Sequence, residues 1–133
     1  MKSMRTKMMA VVLLGVAVAA ALGSGLGLAT ARVLSNPLVP GMNLVGGPLN
    51  TDVPPADYIA CLPSNSWRGV YIFEAQTQSW RHYFNTAKGI PAYVNRTDLG
   101  GISVVPRLAG VFILMDQQVD SPRLKDSPSE SCN

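Results

Sequence analysis

The sequence predicts a mainly β protein: a small antiparallel sheet, or a sandwich or barrel-like domain, with one short helix, preceded by an N-terminal hydrophobic helix. Three observations predict it. Residues 8–31 carry no charge and follow directly on Lys2, Arg5 and Lys7. Beyond them, short runs rich in Val, Ile, Tyr, Phe and Trp alternate with Gly, Pro and Asn turns. The densest of these runs, Gly69 to Phe73 and Trp80 to Phe84, are close enough to form a hairpin.

The first element, residues 1–31, reads as a signal peptide or a signal-anchor helix. Basic residues before an apolar run resist translocation and keep that end in the cytosol, so the body from Arg32 onward is expected outside the membrane. A compact apolar core from Met8 to Ala21, then Gly23, Ser24, Gly25 and Gly27, then Ala29-Thr30-Ala31 as a small-x-small site, describes a cleaved leader. As a helix, the uncharged run would also reach roughly 36 Å, longer than the roughly 30 Å hydrocarbon core, which describes a retained anchor. No Cys follows the run at lipoprotein spacing. The protein is therefore expected to be extracytoplasmic: secreted or periplasmic if cleaved near Ala31, otherwise single-pass with its C-terminal body outside.

The second unit, residues 32–119, is expected to be the β-rich domain. Leu34 to Pro40 is an extended lead-in, because Pro37 and Pro40 exclude helix. Met42 to Val45 makes a first strand, ended by Gly46-Gly47-Pro48. Pro54-Pro55 followed by Ala56 to Leu62 suits a short helix, with proline in the first turn, Asp57 near the positive end and Pro63 as terminator. The hairpin turns at Ala75 to Gln78. After a loop around Asn85 to Gly89, Pro91 to Asn95 is expected to extend, Gly100-Gly101 to break, Ile102 to Val105 to resume as strand and Val111 to Met115 to close the domain. Residues 120–133, with Pro122, Pro128 and four serines, read as a flexible polar tail.

Charge narrows the function classes. The whole chain has 11 Lys+Arg against 8 Asp+Glu, and the three basic residues of the leader account for the excess, leaving a neutral body. With no basic stripe to neutralise phosphates, nucleic acid is not an expected partner. One histidine and two distant cysteines do not assemble a metal site, and no cofactor is expected. In an oxidising compartment Cys61 and Cys132 are candidates for a disulfide worth about 4 kcal/mol of unfolded-state entropy. The alternative is a buried thiol at Cys61 with Cys132 free for an intermolecular bond.

Between roughly Val39 and Val119 the succession GMNLVGGP, VYIFEAQTQSWRHYF, IPAYVN and LAGVFILM resembles an uncharacterised β-rich module of exported bacterial surface proteins. Its pattern has a W-N-L-V-G-like opening strand, a return strand carrying W-x-x-Y and a closing G-Y-W-I strand. Asn43, Leu44 and Val45 match the opening, Trp80 and Tyr83 the hairpin, and Gly110, Phe112 and Ile113 the close. Met42 stands where an aromatic is usual and Val111 where tyrosine is. The resemblance implies a compact extracytoplasmic β module and no activity.

Chemistry-bearing residues are sparse. His82 reads as a sheet-surface residue, and Ser64, Ser66 and Ser79 have no base positioned by the sequence. Asp52, Asp57, Asp98 and Asp116 read as turns, caps or solvated carboxylates. Gly46-Gly47-Pro48 and Gly100-Gly101 lack the Lys and Ser/Thr of a phosphate cradle, and Asn95-Arg96-Thr97 fits a glycosylation acceptor. The expected function is that of a non-catalytic exported or membrane-anchored interaction protein, contacting other exported or membrane proteins or itself, and the membrane through residues 8–31 if these are retained. The second reading is a carbohydrate- or ligand-binding module in which Trp67, Tyr71, Trp80 and Tyr83 form a recognition surface. Exposure of the two tryptophans separates the readings, because a stacking platform must reach solvent.

Overall fold

A computed structural model describes residues 29–133. The expected hydrophobic helix and residues 1–28 of the expected leader lie outside the described residues. The body is mainly β, in two antiparallel sheets with one short helix. Strand β1 is Arg32–Val33, β2 Gly41–Gly46, β3 Trp67–Glu74, β4 Ser79–Phe84, β5 Gly110–Met115 and β6 Arg123–Leu124, while helix α1 is Pro55–Tyr58. The main sheet has the order β2-β5-β3-β4, and β1 pairs with β6 in a two-stranded sheet.

The β3–β4 hairpin forms as the side chains predict, with Val70 opposite Tyr83 and Phe73 opposite Trp80. The closing strand β5 does not follow the hairpin at an edge. It inserts between β2 and β3, pairing Leu44 with Phe112 on one side and Phe112 with Tyr71 on the other. A bulge between Trp67 and Gly69 turns Trp67 onto the buried side, opposite Met115. On that inner side Val70, Ile72, Val111, Ile113 and Met115 meet Val53, Tyr58, Ile59, Leu62, Ile102, Val105 and Leu124 to form the core.

The layer over this inner face is helix α1, irregular loops and the C-terminal segment. Helix α1 is shorter than the expected Ala56 to Leu62; after Tyr58 the backbone tightens into turns, but Ile59 and Leu62 still reach the core. Pro91 to Asn95 does not extend: Ala92–Asn95 is a 3₁₀ turn. Ile102 to Val105 is held by isolated bridges, Gly101 to His82 and Val53 to Val105, and not by a ladder. Gly101 is required there, because a Cβ at this position would run into the backbone of Asn95 and Arg96.

Residues 120–133 are the largest correction. They are not a solvated tail. Leu124 is fully buried, β6 pairs with β1, the Lys125 N–H donates to Tyr58 O at 3.2 Å, and Cys132 is bonded to Cys61. Polar composition misled because the polar groups are satisfied internally: Asp126 accepts from the Leu49 N–H at 3.0 Å and lies 3.3 Å from Arg32 Nε, and Glu130 accepts from the Asp126 N–H at 2.7 Å. The N-terminal end of the described chain joins the same corner, where the Ala31 N–H donates to Ser131 O at 2.7 Å and Ala31 is buried.

Candidate functional site

Among the described residues the outer face of the main sheet has no layer over it. Strand alternation delivers to it Met42 and Leu44 from β2, Phe112 and Leu114 from β5, Tyr71 and Phe73 from β3, and Trp80, His82 and Phe84 from β4. Every one of these is apolar or aromatic except His82. Leu44 is 66 % exposed, Met42 55 %, Trp80 54 % and Phe73 47 %. An apolar patch of this continuity is unusual on a protein surface that serves no contact.

The rings on this face are ordered by one another. Trp80 packs edge-on against Phe73 at 5.4 Å between centroids and against Phe112 at 5.5 Å, and Tyr71 packs edge-on against Phe84 at 6.0 Å. The Tyr71 ring folds over Gly69, where an added Cβ would lie 3.0 Å from the phenolic oxygen. Partial burial raises the Tyr71 hydroxyl pKa, with Arg68 opposing. Met42, Tyr71, Trp80 and Phe112 line an open basin of about 450 Å³ with almost no polar atom in its wall.

The four aromatic residues expected to form one recognition surface are divided between the two faces. Trp67 is only 7 % exposed and stacks on Tyr83 at 6.1 Å with an interplanar angle of 16°, both beneath the sheet. Tyr71 and Trp80 are on the open face. Their partners there, Met42, Leu44 and Phe112, are aliphatic or aromatic residues that read equally well as core. The signal available was β5 itself: GVFILM lacks the polar alternation of a strand with one wet face.

The remaining candidates are occupied. His82 Nε2 donates to Val94 O at 2.8 Å, and its ring lies 4.6 Å from that of Phe84. Ser66 donates to Pro63 O at 2.7 Å, and Ser79 shares a 2.7 Å hydrogen bond with Thr77. Asp116 is held by Lys88 at 3.0 Å and Arg68 at 3.2 Å, and its carboxyl pKa is lowered, most by Lys88. Asn95, the glycosylation acceptor by motif, uses its side-chain amide to bond the backbone of Phe84 in both directions. Among the described residues no group of three or more His, Cys, Asp and Glu could hold a metal ion, and no helix is long and apolar enough to cross a membrane.

No protein-family model, no curated protein and no solved structure matches the chain.

Proposed function

We propose that the protein is a non-catalytic, extracytoplasmic interaction module that docks on another protein through the outer face of its four-stranded sheet. The observation that carries the proposal is the apolar basin between Met42, Tyr71, Trp80 and Phe112, open to solvent and rimmed by the exposed Leu44 and Phe73. Protein interfaces concentrate aromatic residues and Met at a core depleted of charge, which is the composition of this face. A carbohydrate platform needs hydrogen-bond donors and acceptors beside the stacking ring, and the basin wall offers almost none. The disulfide and the uncharged segment behind Lys2, Arg5 and Lys7 support the extracytoplasmic placement.

Retention of the N-terminal segment as an anchor fits this reading better than cleavage at Ala31. Thr30 bridges Ser131, and the Ala31 N–H and side chain are buried against the C-terminal segment; cutting after Ala31 would remove that packing. The docking proposal is tested by placing a photo-activatable benzophenone amino acid at Leu44 and, as control, at the exposed Ala60 on the opposite layer, in the full chain expressed in a bacterial host. Irradiation is expected to give protein adducts from position 44 and none from position 60. Absence of any protein adduct at position 44 would overturn the proposal.

A further inference from the structure

We infer that the occupant of this face is the same face of a second copy, so that two sheets stack about a two-fold axis as the halves of one sandwich. The inference rests on the docking reading above and names its partner. Strand β5 presents Val111, Ile113 and Met115 to the monomer's own core and Phe112 and Leu114 to the open side. A run apolar on both faces belongs in a sheet covered on both faces, and the described residues supply only one cover.

The face is suited to matching itself. A two-fold contact brings each patch against its own copy, so any charge on it would meet its like. The outward side chains of β2 and β5 within the sheet carry none, the exposed Arg68 beside Tyr71 at the end of β3 is paired with Asp116 at 3.2 Å, and His82 is tied to Val94. Relief is complementary as well. Leu44, the most exposed large apolar side chain among the described residues, stands in register with Phe112, which lines the basin. A knob beside a hole on one surface lets each copy's Leu44 enter the other's basin.

The area is adequate. With about 200 Å² per large apolar side chain, half exposure of the four most exposed residues and partial exposure of the others gives roughly 600 Å² per copy, so a dimer removes roughly 1,200 Å², the lower edge of specific interfaces. A membrane surface is the less fitting occupant, because interfacial binding draws on several unpaired Lys and Arg beside the apolar face, whereas Arg68 next to Tyr71 is paired with Asp116.

The test is the mass of the full chain by sedimentation in a mild detergent across a wide concentration range, for the native sequence, Leu44→Lys and Trp80→Lys. Both positions are exposed, and near-ultraviolet circular dichroism checks that each variant keeps its fold. A dimer is expected for the native chain, with its dissociation constant raised about a hundredfold by either substitution. In a Trp67→Phe background, Trp80 emission is expected to shift to the blue as the dimer forms. A monomer at every concentration overturns the inference, and so does a dimer that both substitutions leave intact. Protein adducts from position 44 on a monomeric chain would overturn it while leaving the docking proposal standing. A monomer that instead partitions into uncharged lipid vesicles through the same face would also overturn it.

Discussion

The Asn95 side chain closes the edge of the sheet by imitating a strand: its Oδ1 accepts from the Phe84 N–H at 2.7 Å and its Nδ2 donates to Phe84 O at 2.9 Å. One step along β4, backbone does the same work, with the His82 N–H donating to Gly100 O at 3.0 Å and the Ile102 N–H to His82 O at 2.8 Å. The 95–102 segment thus covers the β4 edge, which would otherwise offer its hydrogen-bonding groups to another chain.

Replacing Asn95 by leucine is expected to remove both bonds and leave the Phe84 backbone groups unpaired, a loss of about 2 kcal/mol. Hydrogen exchange should report faster exchange at Phe84. Glycosylation would attach at Nδ2, the atom that donates to Phe84 O inside this edge contact, so the Asn95-Arg96-Thr97 triplet is expected to remain unmodified in a glycosylating host. A Phe84 amide whose protection survives Asn95→Leu would count against the edge role.

The two tryptophans should respond to truncation in opposite ways. Trp67→Ala empties a buried site against Tyr83 and is expected to lower stability by about 3 to 5 kcal/mol. Trp80→Ala removes a ring that is more than half exposed, and the cost is expected to be about 1 kcal/mol, chiefly from its edge contacts with Phe73 and Phe112. Chemical denaturation of the two variants gives the comparison directly; equal losses would contradict the assignment of the rings to different faces.

Local structure was legible where side-chain shape and backbone constraint act together. Tyr71, Phe73, Trp80 and Tyr83 define the hairpin because bulky and β-branched residues fill a pleated surface, and Pro54-Pro55 starts a helix at the only turn that tolerates proline. What depends on distant partners was not legible. Nothing in GVFILM says that it lies between β2 and β3, and nothing in the serine-rich C-terminal segment says that Asp126 and Glu130 find backbone donors. The candidate site was half visible for the same reason. Tyr71 and Trp80 could be nominated as aromatics, but their separation from Trp67 and Tyr83 follows from strand alternation and the bulge at Trp67/Gly69, and the bulge exists only in the paired sheet.

Asp116 makes stability depend on pH. Its carboxyl joins the end of β5 to Arg68 on β3 and to Lys88 beyond the hairpin, and these cations hold its pKa below the ordinary 3.8. A carboxyl depressed in the folded state contributes stability fully above the unfolded value and loses it as pH falls through the folded one. Asp116→Asn is therefore expected to melt below the native chain at pH 7, the gap narrowing as pH falls below 3.8. Glu74, lowered by Thr77 and then Arg81, acts in the same direction. A gap that stays constant down to strong acid would show that Asp116 acts through shape alone.

The Cys61–Cys132 bond should matter most to the segment that sequence composition assigned to solvent. Strand β6 is only two residues long, and its pairing with β1 is a small contact on which to hold the chain from Pro122 to the C-terminus. The disulfide spans 71 residues with Cα atoms 5.3 Å apart, and closing a loop of that length removes about 4 kcal/mol of unfolded-state entropy. It also brings Ser131 beside Ala29 and Ala31, so the two ends of the described chain depend on one covalent tie. Non-reducing electrophoresis is expected to show a monomer running ahead of its reduced form. The Cys61→Ser/Cys132→Ser variant is expected to melt about 15 °C lower. Its amides from Leu124 to Ser131 should lose exchange protection before those of β3 and β5, because the core under the main sheet does not need the tie to pack. Two titratable thiols in the native folded protein, or a double variant that melts with the native chain, would remove the bond from the account and leave Leu124 and the hydrogen bonds of Lys125, Asp126 and Ser131 to hold the segment down.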